Sequence, residues 1–581
     1  MYLFGTHRSA ARRLRLALRP RLGTGNFFWH ACRTAGDLDR PALYHLPGTA
    51  EPVDIKPYTL RELRTMVLRC VNWYQSRGVR PGARVGVYTA DGLLGLVQHI
   101  AITSLGGATV LANPKMAPDV AAHYFRQTDT TMVIGDKELL RAVQNAPPAG
   151  NGGASGDGGA SGPAVFGDAR AMAEEGTPAS LDAIRYRHRP EDLVLVSHSS
   201  GTTGTPKPAS FTHQGFFVGK RERLWNFPSR RTDRVLTGLP HSHSAGISYL
   251  SLVLMLGLPT LVVDDRSGAA MAKAMNEFLP TIVLGFPLSL AELPISELSA
   301  AAAGTVHTWM GMGDASHERH IRPLVAIGRR PGPNGSGPPG PAYVDGFGSS
   351  EMGMVLFKAV HTAASSNYGR FVGKPVAVVR DAAVLDEAGN ELPVGQAGLL
   401  GVRTPSVTPG YVNAPGLTDD ARRGGYFLTG DVVRRDEQGN FYQLDRTPDV
   451  ITTADGPAYS LPMEEVVLTA TLALDAAVFA VEDPTVPGKS RPAGVVLFGD
   501  GEGSPPSAEE ILARCNRALA ERGLTELAAL IVAADRTDLP VGVTGKVLKR
   551  VLRDRHRTLL GRPPAAGTAL VAELTSRDGA R

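Results

Sequence analysis

The sequence predicts an α/β fold: a large N-terminal domain of strands and helices with a β-rich subdomain, followed by a small α+β domain. Strand-like and helix-like segments alternate from about residue 27 to residue 145, which is typical of α/β layers with a largely parallel sheet. The 581 residues exceed what one hydrophobic core usually holds, so two or more domains are expected. A hydrophobic content of 43% and a charged content of 20% are typical of a soluble globular protein.

Local patterns predict the individual elements of the N-terminal half. Thr59 is a capping signal for a helix that runs to about Ser76. The alternation continues with a strand at 84–88, a buried helix at 93–105 and a strand at 108–111. The most apolar stretch, 247–263, is interrupted at 257–259, which favours a helix, a turn and a strand over a membrane span.

A domain boundary is predicted near 445–447. The segment before it reads as β-rich, and the roughly 130 residues after it have the size of a small domain. That domain is predicted to contain strands at 476–481 and 493–498 and a helix at 508–522. The expected organisation is a flexible basic N-terminus (1–26), a main domain (27–445) with a flexible Gly/Ala/Ser/Pro-rich insertion (146–163), and a C-terminal domain (446–581).

Composition argues against several classes of protein. Three widely separated cysteines, Cys32, Cys70 and Cys515, support neither a disulfide framework nor a zinc site. They are compatible with a reducing compartment, and a cytoplasmic location is expected. The net charge of +5 is small for this length, and the arginines of 8–21 lack interleaved aromatic residues, so no nucleic-acid partner is predicted.

The stretch SSGTTGTPK predicts a phosphate-binding loop after a short apolar strand. Glycines let the backbone approach a ligand closely, successive N–H groups can cradle an anion, and lysine adds a point charge. The Walker A spacing is not met, and a flexible surface turn is the alternative. The predicted phosphate contacts are Ser199, Ser200, Gly201, Thr202, Thr203, Gly204 and Lys207.

Four further stretches follow in a fixed order: YVDGFGSSEMG, YFLTGD, FYQLDRTPDVI and LPVGVTGKVLKR, at residues 343–353, 426–431, 441–451 and 539–550. Together with the glycine-rich loop they resemble the adenylate-forming superfamily of acyl- and aryl-CoA ligases, adenylation domains and luciferases. The resemblance implies a large N-terminal domain of packed mixed sheets and helices and a small mobile α+β C-terminal lid, with ATP bound between them. It also implies that a carboxylate attacks the α-phosphate of ATP to give acyl-AMP and pyrophosphate, and that a nucleophile then takes the acyl group.

The resemblance also implies roles for residues in these motifs. Glu351 matches a magnesium-ligating glutamate, a hard oxygen donor suited to Mg²⁺. Asp431 matches the aspartate that accepts both ribose hydroxyls, Arg446 the arginine near the hinge, and Lys546 the lysine that reaches the reacting groups during adenylation. The expected adenine and α-phosphate contacts are Asp345, Gly346, Phe347 (replacing a common Tyr) and Ser350 (replacing a common Thr).

Two further stretches are predicted to line the substrate pocket. His243 falls where the family often has a histidine or an aromatic residue beside the acyl group, and a strand would place His241 on the same face. The alternative interpretation is that one of the two histidines is a hydrogen-bonded residue of the core. Gly311 and Gly313 match a glycine-rich pocket wall loosely.

One departure from the family pattern concerns the hinge, where Pro448 stands in place of Asp or Lys. Proline fixes φ near −65° and restricts the preceding residue, so a large φ rotation at this position is excluded. Altered lid alternation is the hypothesis, and it places thioester formation with CoA in question.

The predicted function is therefore an ATP- and Mg²⁺-dependent ligase that activates a carboxylic acid, aryl or small, in specialised metabolism. CoA is the expected acceptor, because CoA ligases are the most frequent members of this family. The alternatives are an amide synthetase, a diazotase that joins nitrite to an arylamine, and a nucleotide-binding pseudoenzyme. No fused carrier domain is expected.

Overall fold

A computed structural model describes residues 9–19, 22, 27–48, 52–146, 162–181, 186–199, 206–227, 229–328, 340–499, 506–542, 546–560 and 570–573. The strands are β1 (Pro41–Leu46), β2 (Lys56–Thr59), β3 (Arg84–Tyr88), β4 (Ala108–Leu111), β5 (Met132–Gly135), β6 (Val165–Asp168), β7 (Leu193–Ser199), β8 (Lys207–Thr212), β9 (Val235–Thr237), β10 (Thr260–Val263), β11 (Ile282–Gly285), β12 (Thr308–Met312), β13 (Ala342–Phe347), β14 (Phe357–His361), β15 (Phe371–Pro375), β16 (Asp381–Leu385), β17 (Ala397–Arg403), β18 (Arg422–Arg423), β19 (Tyr426–Arg435), β20 (Phe441–Arg446), β21 (Ile451–Thr453), β22 (Gly456–Ala458), β23 (Asp475–Glu482), β24 (Ser490–Leu497), β25 (Ala529–Val532) and β26 (Leu570–Glu573).

The helices are α1 (Ala10–Ala17), α2 (Phe27–Thr34), α3 (Leu60–Ser76), α4 (Gly92–Ser104), α5 (Pro118–Gln127), α6 (Lys137–Gln144), α7 (Ala169–Glu174), α8 (His213–Asn226), α9 (Ser244–Leu256), α10 (Gly268–Phe278), α11 (Pro287–Ala291), α12 (Ala300–Thr305), α13 (Glu318–Ala326), α14 (Pro415–Asp420), α15 (Ser460–Thr471), α16 (Ala508–Ala520) and α17 (Lys549–His556). Short 3₁₀ turns span Ile295–Glu297, Ser350–Met352, Thr447–Asp449 and Arg536–Asp538.

Two sheets form the N-terminal part of the molecule. The smaller sheet has the order β6-β5-β3-β4-β7-β8, in which the strands are parallel except for the β7–β8 pair. The larger sheet runs β2-β1-β10-β9-β11-β12-β13 and continues antiparallel through β14-β15-β20-β19-β17-β16. The second half of this path is the predicted β-rich region.

The main hydrophobic core contains residues of α3, α4, α8 and α9 together with apolar residues of both sheets. The helix α3 begins at a capping box, in which Thr59 and Glu62 bond each other's backbone N–H groups. In this layer the buried Tyr74 hydroxyl donates to Gln98 at 2.7 Å. These elements confirm the predicted α/β class and the strands and helices expected between residues 59 and 111.

The C-terminal unit, from 447 onward, is built around the four-stranded sheet β23-β24-β25-β26. One face of the sheet packs on α15 and α16, and the other packs on α17 and neighbouring loops. The strands β23 and β24 and the helix α16 correspond to those predicted, whereas β25 and β26 were not predicted.

The expectation of a flexible N-terminus is wrong for residues 9–19. Ser9 caps α1, which packs against α8 and buries Leu16. Arg13 is also buried and donates to the carbonyl oxygen of Phe227 at 2.8 Å. Within the part of the chain that is described, no helix combines the length and apolarity needed to cross a membrane.

Candidate active site

Two adjoining cavities lie where the large sheet, the small sheet and the C-terminal unit meet. The inner cavity, of about 380 Å³, is lined by Lys207, His243, Tyr249 and Glu351 among others. The interface cavity, of about 480 Å³, extends beneath the C-terminal unit. Both are lined by Ser199, Gly313, Gly346, Gly348, Arg446 and Lys546, so they form one continuous space.

The predicted phosphate loop connects β7 to β8. Ser199, at the end of β7, pairs directly with Lys207, at the start of β8, and both residues line the inner cavity. Both ends of the predicted loop therefore lie at the cavity. Ser200, Gly201, Thr202, Thr203 and Gly204 lie outside the described residues.

Glu351 is held in the inner cavity by two hydroxyl groups. Ser349 donates to one carboxylate oxygen at 2.8 Å, and Tyr411 donates to the other at 3.1 Å. The Lys207 ammonium lies 5.9 Å from the ring centroid of Tyr411. A carboxylate that faces a cavity beside a lysine fits a Mg²⁺ ion that accompanies a phosphate chain.

The side chain of His243 bonds at both ring nitrogens. Nδ1 accepts from the backbone N–H of Ala245 at 3.2 Å, so the ring proton lies on Nε2, which is 3.0 Å from Ser350 Oγ. Burial, with Lys546 as a further cause, lowers the pKa of His243 to about 4, which keeps the ring neutral near pH 7. Nε2–H donates to Ser350, and the Ser350 hydroxyl proton remains available to an acceptor in the cavity.

Asp431 lies at the end of the YFLTGD motif and is only 3% exposed. It lies opposite Arg446 in the β19–β20 pair, and the Arg446 Nε is 3.4 Å from its carboxylate. Gln443 donates to the same carboxylate oxygen at 3.1 Å. The charge of Asp431 is the main cause that raises the pKa of Arg446. Both residues line the interface cavity, where Asp431 has lone pairs available for hydroxyl donors.

Lys546 brings the C-terminal unit into the site, since it lines both cavities. Its backbone carbonyl accepts from Gly542 at 2.8 Å, and a β-bridge joins Val541 to Val547. These contacts fix the backbone of Lys546, which lines the inner cavity together with His243 and Arg446.

Pro448 lies in the 3₁₀ turn that directly follows β20 and lines the interface cavity. Its neighbour Asp449 pairs with Arg553 of α17 at 2.6 Å. The role of Pro448 as a hinge remains a prediction.

Three predicted contacts do not line either cavity. His241 is buried in a turn, donates to the carbonyl oxygen of Thr89 at 3.0 Å and packs against Gly95 of α4. The prediction that it lines the substrate pocket is wrong, because the segment forms a turn that ends at the helix cap His243 instead of a strand.

Gly311 is also misassigned, because the space beside its Cα is filled by the hydroxyl group of Tyr343. Asp345 lies behind the cavity and accepts from Ser316 at 3.0 Å. Burial raises the pKa of Asp345 to about 6. Gly313, Gly346 and Phe347 do line the cavities.

Sequence reasoning missed the contacts that fasten the C-terminal unit. Glu465 of α15 accepts from His317 at 2.6 Å and from the backbone N–H of Glu318 at 2.9 Å. Burial alone would raise its pKa, but His317 and then Arg370 lower the pKa of Glu465 to about 2. These residues are far apart in the chain, and no local motif marks them.

A second missed cluster surrounds Lys549. Its ammonium is 2.7 Å from Glu464, and Ser460 bridges it to Asp445. Burial would lower the pKa of Lys549, but Glu464 and Asp445 raise it above its ordinary value. The sequence feature that could have indicated this cluster is the position of Lys549, three residues after Lys546.

A large mixed sheet closed by a small C-terminal α+β unit, with a lysine of that unit in the shared cavity, defines an enzyme of the adenylate-forming class. The chain belongs to the AMP-binding enzyme family, whose model matches residues 28–412. It is an adenylate-forming ligase, and members of this family use ATP.

Two relatives and one solved structure show which kinds of adenylate-forming enzyme the chain is similar to. The chain is 34% identical to a 3-aminoavenalumate diazotase from Streptomyces sp., over 94% of this chain and 98% of the relative. It is 24% identical to a 3-amino-2-hydroxy-4-methoxybenzoate diazotase from Streptomyces cremeus, over 78% of this chain and 84% of the relative. Among solved structures, an anthranilate CoA ligase in complex with anthranoyl-AMP superposes with a TM-score of 0.74 at 18% identity, covering 95% of this chain and 98% of that one.

Proposed function

We propose that this enzyme is an ATP-dependent diazotase, which activates nitrite with ATP and transfers the nitroso group to the nitrogen of an aryl amine. The observation that carries the proposal is the 34% identity to a diazotase across 94% of the chain. The second diazotase relative supports it, since both names specify an amino group on a substrate that also carries a carboxylate.

The chemistry of nitrite fits a site that otherwise activates carboxylates. Both anions are bent and share one negative charge between two oxygens, so the same positive groups can direct either one toward the α-phosphorus. Nitrite has no carbon substituent. The inner cavity, which an acyl group would otherwise fill, is then free to hold the amine as a separate molecule.

The reaction balances in two steps. A nitrite oxygen bonds to the α-phosphorus of ATP while the bond to the departing pyrophosphate breaks, giving nitrosyl-AMP. The amine nitrogen then bonds to the nitroso nitrogen, the N–O bond to AMP breaks, and the amine loses a proton. The resulting N-nitrosoamine takes up a proton and loses water to become the aryl diazonium ion.

The chain's own residues divide these tasks. Lys207 and the β7–β8 loop would hold the outer phosphates, and Asp431 with Arg446 would hold the ribose. Lys546, at the junction of both cavities, would neutralise charge that develops on the oxygens around the α-phosphorus. Glu351 would hold Mg²⁺, which supplies charge neutralisation for the triphosphate when bound.

The neutral His243 has a positioning task at the reacting end. It donates to Ser350, which directs the Ser350 hydroxyl proton toward the cavity. Apolar side chains of Ala245, Phe286 and Met354 line the inner cavity and suit an aromatic ring. The C-terminal unit, from residue 447, would act as the lid, with Pro448 restricting its rotation.

Pyrophosphate release tests the proposal. The purified full-length enzyme is incubated with ATP, Mg²⁺ and a panel of amino-substituted aryl acids, with nitrite, with CoA or with neither. The expected result is release that requires nitrite, and a diazonium product that 2-naphthol traps as an azo compound. Turnover that requires CoA and yields a thioester, with no response to nitrite, would overturn the proposal in favour of an aryl acid–CoA ligase.

A further inference from the structure

One wall of the inner cavity is formed by residues of α9. Ala245 and Tyr249 lie one turn apart on α9, and both line this cavity. His243 caps the start of the same helix, so Tyr249 lies about 9 Å farther along the helix axis. This separation can accommodate an aromatic ring with a substituent at each end.

Arg223 of α8 holds this hydroxyl group from behind. One guanidinium nitrogen donates to Tyr249 Oη at 2.6 Å, and another donates to the carbonyl oxygen of Val355 at 3.0 Å. Because Tyr249 Oη accepts from Arg223, its own proton is available to a group in the cavity. Val355 also lines the cavity, so Arg223 fixes two segments of the wall.

The charge of Arg223 is not balanced by the protein around it. The side chain is half-buried, and among the described residues no carboxylate lies within ion-pair distance of it. Its two partners are a phenol and a carbonyl group, both neutral. A half-buried cation without a counter-ion favours an anion close by.

We propose that Tyr249, positioned by Arg223, is the specificity-determining donor to a carboxylate at the end of the substrate remote from the reacting amine. The proposal rests on the diazotase function, because it places the amine at the end near His243 and Ser350. The ring lies between them against the apolar wall that contains Phe286 and Met354. The substrate class is an aromatic or conjugated amino acid whose carboxylate is recognised and not activated.

Equilibrium binding to the AMP-bound enzyme provides the test. The probes are 3-aminobenzoate and its methyl ester, measured by calorimetry with the wild type and with Tyr249→Phe, Arg223→Met and Arg223→Lys. The wild type should bind the acid more tightly than the ester by about ten- to a hundredfold, the range for a hydrogen bond to a charged group. Tyr249→Phe and Arg223→Met should remove most of this preference, and Arg223→Lys should restore part of it.

Ser251→Ala is the matched control, because Ser251 lies on α9 and its hydroxyl group donates to the carbonyl oxygen of Ile247 in the same helix. It should leave the preference unchanged. An acid preference that survives in Tyr249→Phe would overturn the proposal, as would equal binding of acid and ester to the wild type. Nitrite-dependent pyrophosphate release is a separate readout, so its failure alone would refute the diazotase function and not the binding of a carboxylate by Tyr249.

Discussion

The hydrogen bond between Glu465 and His317 should control how well the C-terminal unit closes the site. The pKa of Glu465 is about 2 against an ordinary value of 4.5, a difference that corresponds to about 3 kcal/mol in favour of the carboxylate in this arrangement. Because the pKa is lowered, this stabilisation is fully present above pH 4.5 and is lost as the pH falls toward 2.

Glu465→Gln removes the charge and keeps an oxygen that can accept. If the pair fastens the lid over the reacting groups, the exchange of labelled pyrophosphate into ATP at pH 7 should fall by about ten- to a hundredfold, since each 1.4 kcal/mol is a factor of ten. Glu509→Gln, on an exposed position of α16, is the control and should match the wild type. An exchange rate for Glu465→Gln within twofold of the wild type, with normal thermal unfolding, would refute the reasoning.

Three further substitutions test the site. Lys546→Ala should lower pyrophosphate exchange by about 10²–10³-fold through loss of transition-state stabilisation, with ATP binding by calorimetry little changed; equal losses in both would contradict its assigned role. Asp431→Asn should raise the KM for ATP by about ten- to a hundredfold, because hydrogen bonds to a charged acceptor are weakened, and an unchanged KM would remove Asp431 from the ribose site. Lys549→Met should destabilise the C-terminal unit by about 3–5 kcal/mol in denaturant unfolding, since Glu464 and Asp445 lose their buried partner; a loss of catalysis without a loss of stability would instead place Lys549 in the chemistry.

The sequence predicted the features that depend on local patterns. Thr59 and Glu62 form the cap at which α3 begins. The apolar runs that follow it form β3, α4 and β4, of which the two strands pair in the smaller sheet. Ser199 lies at the end of β7 and Arg446 at the end of β20, where it faces Asp431 of β19, so placing the strands also placed these motif residues around one cavity.

The sequence could not predict features that depend on distant contacts. His241 and His243 have the spacing of one strand face, yet the turn at this point places His241 against Gly95 of α4. The arginines at the N-terminus suggested a solvated segment, but Arg13 finds a buried carbonyl partner on Phe227. Glu465 has no motif around it, and its importance follows only from its tertiary contact.

The central claim is that nitrite attacks the α-phosphorus of ATP. The most direct test is the origin of the oxygen that joins nitrogen to phosphorus in nitrosyl-AMP, because this oxygen stays on AMP when the N–O bond breaks. The full-length enzyme is given ATP, Mg²⁺, 3-aminobenzoate and nitrite labelled with ¹⁸O, and the AMP is analysed by mass spectrometry. If nitrite attacks the α-phosphorus and the amine then attacks nitrogen, each AMP formed retains one ¹⁸O atom from nitrite. Nitrite activation would be contradicted by unlabelled AMP that forms together with the diazonium product. It would also be contradicted if AMP acquired ¹⁸O only when the label was supplied in the carboxylate of the substrate.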